Sequence, residues 1–594
     1  MKCYSPGCAL SGARGVDGGG AAPYDSLQGG RRVLVTFVNE RGAVLAALEL
    51  PAGITVLEAA RRGGVALETP CGGRGACGKC RARLASPVSP ALAGTENAPP
   101  ALDIAPCTTK VFGSITVAVP DTAPPVKQPI LAHGAGFPPA ERKPFIRKTF
   151  SNGNTQVYGG EALLGVEAGD TTGSCYGLAL DIGTTTLAAW LVDLRSGRVT
   201  ARETALNPQC RYAQDLISRI LIASEPAGLE TLYRAFMDGA ARLIKAMTAR
   251  TGIQAAHIYE AVYSGNTAML HIAAKADPSS LGRCPYTPRL KGGGHITDPG
   301  LPIAAPGLIY LPPVVSGFVG ADISAGAAAA GLLHAAVPTL FIDIGTNGEM
   351  AAARQGVITA ASVPAGPAFE GMQISQGMRG EQGAVEAAAI DRLGRLRCRV
   401  IGGGKARGIC GSGLASLIGA LAAWGVIEES GRFAAPDAKR FPRALGARLG
   451  EKREKNRGGT AAFRITGDVY LTQQDVRQFQ SAKAAVRGGV ALLLEHAGIA
   501  EEAVGAVLIA GAFGYSLREQ SLFDTGLLPA CFAGKTAFVG NTALSGAASL
   551  LLNTAFREEA CRAAGAIKPL SLAGNRRFED LFIGFMSFPP RSRA

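Results

Sequence analysis

Residues 69–84, "TPCGGRGACGKCRARL", carry Cys71, Cys77 and Cys80 in a C-x5-C-x2-C pattern, and Cys107 follows in "DIAPCTTKVFG". Four thiolates are soft anionic ligands, suited to iron or to zinc. The glycines at 72, 73, 75 and 78 let the backbone wrap closely round an inorganic centre and turn N–H groups towards its sulfides. Zinc knuckles usually repeat C-x2-C in pairs, and this stretch holds only one such pair. A two-iron, two-sulfide cluster on Cys71, Cys77, Cys80 and Cys107 is therefore expected, with structural zinc as the alternative.

A second chemistry is written twice. "GLALDIGTTTLAAWLVDL" and "TLFIDIGTNGEMAAARQ" each read as a strand, a small-residue turn and a second strand. The first places Asp181 beside Gly183, Thr184 and Thr185; the second places Asp343 beside Gly345, Thr346 and Asn347. Such turns expose N–H groups and hydroxyls to phosphate oxygens, and a carboxylate beside them can hold hydrated Mg²⁺. No G-x4-G-K-[ST] stretch occurs, which excludes a P-loop. Four further turns precede helices or follow buried strands: "YSGNTAML" with Gly265, Asn266 and Thr267, "GICGSGLAS" with Gly411 and Ser412, "IAGAFGYS" with Gly511 and Gly514, and "FVGNTALSGAASLLL" at 538–552, which, like 408–421, could also be an ordinary helix start. ATP with Mg²⁺ is the expected ligand. Asp181, Asp343 and Asn266 are the expected catalytic residues, and the other residues of these turns are expected to bind nucleotide.

These groups need a scaffold. Residues 1–30 read as a flexible Gly- and Ala-rich extension, in which Cys3 and Cys8 lack further ligands. Residues 31–119 hold two strands around Asn39–Gly42, a helix opened by the capping pair Thr55 and Glu58, and strands near 80–84 and 113–119. Residues 120–172 are Pro-rich, a tether and small module that would leave the first domain free to swing. Residues 173–594 form the duplicated body, in halves of about 173–336 and 337–594. The fold class is thus α/β and α+β multidomain.

The first domain resembles plant-type [2Fe–2S] ferredoxins of β-grasp fold, with one residue more between its first two cysteines than their C-x4-C. The body resembles the acetate and sugar kinase/Hsc70/actin (ASKHA) superfamily. More narrowly, the chain is similar to the ATP-dependent reductive activators of corrinoid proteins, through "NPQCRYAQDLISRI", "LPPVVSGFVGADISAG", "AGPAFEGMQISQGMRG", "ITGDVYLTQQDVRQFQSAKAAVRGGV" and "FIGFMSFP". The resemblance implies one-electron reduction of a corrinoid methyl-transfer protein from Co(II) to Co(I). It also implies ATP turnover, a corrinoid protein as acceptor, and a low-potential donor such as a ferredoxin or flavoprotein. Glu370 and Arg379 fall in one of these signatures with no role assigned. Two other readings stand beside it: an ATP-regulated electron-transfer or redox-sensing protein, and an ASKHA kinase of a small molecule.

Composition narrows the setting. The chain has 594 residues, 47% hydrophobic and 18% charged, with a net charge of +14. The excess is dense between Lys439 and Arg457, read as a solvated basic loop or an acidic-partner site. No nucleic-acid-binding motif accompanies it, and no apolar run spans a bilayer, so neither nucleic acid nor membrane is an expected partner. No signal peptide opens the chain, and the remaining cysteines read as small buried hydrophobes, which together point to the cytoplasm. A homodimer is compatible with exposed helical faces.

Overall fold

The computed structural model describes residues 32–39, 42–63, 65, 67, 82–85, 103–119, 141–439, 441–454, 457–511 and 517–590. Cys3, Cys8, Cys71, Cys77, Cys80, Gly514 and most of the tether lie outside them. The chain divides into two compact units, one of residues 1–67 and 81–120, the other of residues 68–80 and 121–594.

In the first unit, alternating apolar residues in Arg32–Val38 bury Val33, Val35 and Phe37 on one face. A sheet forms in the order Val44–Pro51, Arg32–Val38, Ile115–Ala118, Ala82–Leu84, Asp103–Ile104. Its first pair is an antiparallel hairpin and its central pair is parallel. The helix Val56–Arg62 opens at Thr55, whose Oγ1 accepts from Glu58 N at 3.2 Å, and it packs Val56, Ala59 and Ala60 into the same core.

The second unit repeats one topology. The sheet of the first half runs Val199–Leu206, Thr186–Asp193, Tyr176–Ile182, Ile258–Gly265, Leu308–Leu311, Gly294–Thr297. That of the second half contains Val357–Val363, Gly348–Arg354, Thr339–Ile344, Ala506–Ala510, Thr536–Gly540 in the same spatial sequence. In each, three antiparallel strands joined by short turns lead to a parallel neighbour of the first strand. Central strands such as Ile258–Gly265 are buried throughout, as expected where helices cover both faces.

The halves meet through small residues. The helices Ala321–Ala329 and Thr542–Leu552 cross so closely that a Cβ on Gly546 would lie 2.5 Å from the Ala325 carbonyl oxygen. Alanine, glycine and serine on both faces permit that approach, and it carries the two helix starts, Asp322 and Asn541, to one place.

Three sequence expectations change in detail. The basic stretch is not a plain loop: Leu449–Glu454 and Arg457–Thr466 pair as a hairpin that continues to Val469–Thr472. Cys284 and Cys561 are exposed rather than buried, Cys561 because its helix, Thr554–Ala566, turns only one face inward. Within the Pro-rich region, Ile146–Ser151, Asn154–Gly159 and Ala162–Ala168 form a three-stranded sheet. Lys148 anchors this sheet to the first half, donating to Glu167 at 2.7 Å and to the Tyr259 hydroxyl at 2.8 Å.

Candidate functional site

Both duplicated turns open into one cavity of about 450 Å³, lined from each half. In the first turn Gly183 N donates to the Thr186 carbonyl at 2.9 Å; in the second Gly345 N donates to the Asn347 carbonyl at 2.9 Å. Across the two, the hydroxyls of Thr185 and Thr346 stand 3.3 Å apart. Residues 161 apart in the chain thus share one hydrogen bond.

The first turn is held from below by the 207–220 segment. Asn207 Nδ2 donates to the Gly183 carbonyl at 2.8 Å, and Asn207 N to the Thr185 carbonyl at 2.8 Å. Arg219, fully buried, ties that segment together by donating to Gln209, Ala213 and the Cys210 sulfur. This fixes the turn on a satisfied polar network rather than on a mobile loop.

Two asparagines perform parallel tasks. Asn266 caps the helix Thr267–Ala273, its Oδ1 accepting from Met269 N at 3.0 Å, while its Nδ2 donates to Thr184 Oγ1 at 3.3 Å. Asn541 caps Thr542–Leu552, accepting from Leu544 N at 2.8 Å, while its Nδ2 donates to Asp181 Oδ2 at 2.7 Å. Each spends its carbonyl on a helix N-terminus and its amide on the first turn.

Of the expected site residues, Asp181, Gly183, Thr184, Thr185, Asn266, Asp343, Gly345, Thr346, Asn347, Gly411, Ser412 and Gly511 line the cavity. Gly265 and Thr267 do not: Gly265 packs on the Ile182 backbone, and buried Thr267 donates to the Ser316 carbonyl at 2.7 Å. They deliver Asn266. Glycine is required at two lining positions. A Cβ on Gly411 would sit 1.6 Å from the Phe369 carbonyl oxygen, and one on Gly511, at φ +88°, 2.4 Å from Asp343 Oδ1.

The cavity also gathers Asp322, Glu349, Glu370 and Arg379, to which the sequence assigns no site role, and Asn541, from the 538–552 turn read as a nucleotide-contact candidate. Asn541 had a signal: "GNTA" occurs both at 265–268 and at 540–543. Asp322 and Glu370 lie in signature segments but have no spacing rule of their own. Glu370 ends the turn Pro367–Glu370, which is braced by the edge-on contact of Phe369 with Phe479 and by Ser375, whose N and Oγ each donate to Asp475 at 2.6 Å.

Burial dominates the electrostatics. It pushes the Asp343 carboxyl up to about 8, with the neighbouring charges of Asp181 and Asp322 adding to the effect. Asp322 is pushed up to about 7 and Asp181 to about 6, in the latter case against the opposing hydrogen bond from Asn541. Glu349 is raised well above its ordinary range by the same burial. Among the described residues no three acidic, His or Cys side chains form a ready-made metal cage.

A pH dependence follows. Each of these folded-state values is raised, so between about pH 4 and 8 the folded chain retains protons that the unfolded chain releases, and stability falls as pH rises through that window. Without nucleotide, the body's melting midpoint is expected to drop by about 5 °C from pH 5.5 to 8.5, and MgATP is expected to flatten the slope. Scanning calorimetry at several pH values reads both; a flat profile without nucleotide would contradict the burial described.

For the thiolate site, the structure describes Cys107, half-buried beside the core of the first unit. Its segment is pinned to the start of the helix Val56–Arg62 through Val56 N to the Thr109 carbonyl, Leu57 N to the Pro106 carbonyl, and Val111 N to the Ile54 carbonyl, at 2.8–2.9 Å. The backbone on either side of Cys107 is thus fixed to the start of that helix. Cys71, Cys77 and Cys80 lie outside the described residues.

Comparison with known proteins covers most of the chain. A 2Fe-2S iron-sulfur cluster binding domain matches residues 44–111, the RACo middle region matches 176–335, and the C-terminal domain of RACo, the ASKHA domain, matches 337–594. The corrinoid activation enzyme RamQ of Eubacterium limosum is 35% identical over 427 residues, 69% of each chain. A reductase of the Co(II) methylated amine-specific corrinoid protein, from Methanosarcina barkeri, is 26% identical over 306 residues, 47% of this chain and 51% of that one. The solved structure of a reductive activator for corrinoid, iron-sulfur protein is similar with a TM-score of 0.68 and 28% identity, covering 94% of this chain and 98% of that one.

Proposed function

The chain belongs to the family of corrinoid activation enzymes, a [2Fe–2S] domain fused to an ASKHA body, and from that premise we propose how its own residues divide the work. The protein reductively activates a corrinoid protein in an ATP-dependent reaction, through its iron–sulfur domain. The cluster, held by Cys71, Cys77, Cys80 and Cys107, supplies single electrons to the cobalt of the partner.

One observation carries the assignment of the nucleotide site: the convergence of both Asp-x-Gly-Thr turns, one per half, with Thr185 and Thr346 hydroxyls 3.3 Å apart at a single cavity. The N–H groups that follow Gly183 and Gly345 in the two turns, with the Thr184 hydroxyl, which accepts from Asn266 and keeps its own proton, would be directed at the β- and γ-phosphates. Asp181 and Asp343 would orient the water shell of Mg²⁺. Gly511 and the helix opened by Gly411 and Ser412 would bound the nucleoside side. Arg379 also lines the cavity, a cation suited to phosphate oxygens.

Nucleotide can help an unfavourable electron transfer only by favouring one of two states that differ at the partner surface. Because both halves contribute to the same phosphate site, ligation there biases their closure, and closure reshapes whatever surface spans them. A low-potential ferredoxin or flavoprotein completes the scheme as donor, in the cytoplasm. The described residues contain no helix long and apolar enough to cross a membrane.

Rapid mixing tests the reading. Reduced protein is combined with a Co(II) corrinoid protein, and the Co(I) absorption is followed with and without MgATP. Co(I) is expected only with nucleotide; equal yields without it would overturn the ATP dependence, and none with any corrinoid partner would overturn the acceptor.

A further inference from the structure

The helix Leu216–Ala223 buries Arg219, Ile220 and Ala223 and leaves Ile217 and Leu221, one turn apart, 71% and 66% exposed. Leu281 and Gly282 pack on Ile220 and lead into the loop 283–290, which presents a second apolar spot. There the rings of Tyr286 and Phe318 stand 4.9 Å apart, and Phe318 is 41% exposed. The loop is held from beneath. Buried His271 accepts at Nε2 from Arg289 N and Leu290 N, so its proton sits on Nδ1 and goes to the Thr267 carbonyl at 2.7 Å. Single exposed apolar residues are ordinary, but a group of them on pre-ordered backbone marks a contact surface. Two cations rim it. Arg211, before the helix, and Arg283, on the loop, are exposed and enter no ion pair among the described residues. Arg289 is instead paired to Asp277 at 2.8 Å, and Asp215 is spent capping the helix.

We propose that the Co(II) corrinoid protein docks on this face, with apolar side chains against Ile217, Leu221 and Phe318 and acidic ones against Arg211 and Arg283; this rests on the activation reading above. The occupant follows from what lies behind the face. In the segment leading to the helix, Asn207 bonds the Gly183 and Thr185 carbonyls, and the Cys210 thiol donates to the Thr184 carbonyl at 3.5 Å. Arg219 joins Gln209 and Cys210 to the helix itself. Behind Phe318, the Ser316 carbonyl accepts from Thr267 at 2.7 Å, and a Cβ on Gly320 would lie 2.6 Å from Asn266 Cα. Asn266 in turn donates to Thr184. Both apolar spots are therefore backed by residues that hold the first phosphate turn. A partner seated on them makes contacts that a shift of that turn alters, which is the condition for nucleotide to change its binding. An electron donor has only to meet the iron–sulfur domain, whereas the acceptor must answer to nucleotide. The unpaired guanidinium groups select a partner with an acidic rim, and the net charge of +14 draws such a protein in.

The test uses the full chain and the Co(II) corrinoid protein that it reduces in rapid mixing. Ile217→Glu combined with Leu221→Glu is expected to raise the corrinoid protein concentration that half-saturates Co(I) formation by at least about fivefold. Arg211→Glu with Arg283→Glu should raise it about threefold and flatten its dependence on salt. All four side chains are exposed and none lines the cavity, so MgATP affinity and phosphate release without partner should stay within about twofold of wild type. A rise below about fivefold in the Ile217→Glu, Leu221→Glu protein would overturn the assignment. So would an equal loss of MgATP affinity, which would make the helix a support for the phosphate turn alone. A wild-type dimer that the same substitutions convert to monomer, read by equilibrium sedimentation, would make the face an interface between copies of this chain and overturn the assignment too. If the glutamates disturb the helix, Phe318→Ser decides from the other segment: a rise of about threefold or more at wild-type MgATP affinity upholds the docking face, and a smaller one refutes it. Failure of the underlying reading is distinct, since wild type would then form no Co(I) with any corrinoid protein.

Discussion

Cys107→Ala is expected to strip iron from the protein, bleach its visible absorption and reduce Co(I) formation to background while MgATP binding persists. Alanine is the informative choice, because a serine oxygen can still ligate iron. The thiol sits in a segment held at Val56, Leu57 and Val111 by backbone hydrogen bonds, so truncation removes a ligand without releasing the strand that follows. The first unit keeps its core of Val35, Phe37, Val56 and Val117, and the nucleotide cavity belongs wholly to the other unit. Loss of electron transfer with retention of nucleotide binding is therefore the specific signature. Iron and sulfide analysis, the absorption spectrum and the rapid-mixing assay measure it. Iron retained at wild-type stoichiometry in Cys107→Ala would remove this residue from the ligand set. Stoichiometric zinc in colourless wild-type protein would replace the redox centre with a structural one.

What could be read in advance was what is written locally. The C-x5-C-x2-C spacing and the doubled Asp-x-Gly-Thr turns are short-range patterns, each needing only a strand, a turn and glycine. The repetition of those turns foretold the repeated strand order of the two halves. The sides of the cavity facing the turns were not legible, because they are made by distance. The turn that holds Asn541 could be read, but not its bond to Asp181 across 360 residues, and Glu370 reaches Thr346 from a turn braced by the contact of Phe369 with Phe479. Nothing in the neighbourhood of Asp322 marks it as a site residue; it arrives there because alanine and glycine let two helices cross at close range. Gly265 and Thr267 show the converse: a motif of which only the middle residue lines the cavity.

Asp343→Asn should move stability and function in opposite directions. The half-buried carboxyl lines the cavity, desolvation and the charges of Asp181 and Asp322 push it up to about 8, and no hydrogen bond offsets them. At pH 8 the folded protein must either hold a proton there or bear an uncompensated charge; the isosteric amide does neither. The melting midpoint without nucleotide is thus expected to rise by about 3 °C at pH 8 and to change little at pH 5.5, where the acid is already neutral. The same substitution removes the charge proposed to orient the Mg²⁺ water shell, and with it the anchor for the phosphates. ATP hydrolysis and nucleotide-dependent Co(I) formation should fall by roughly 10²–10³-fold. A merely structural aspartate would show the reverse coupling, with a lower midpoint accompanying lower activity. Melting curves at both pH values, beside phosphate release at saturating MgATP, separate the two. A midpoint at pH 8 that falls together with activity would mean that this carboxylate is held ionised by its surroundings, contrary to the burial that places it at the bottom of the site.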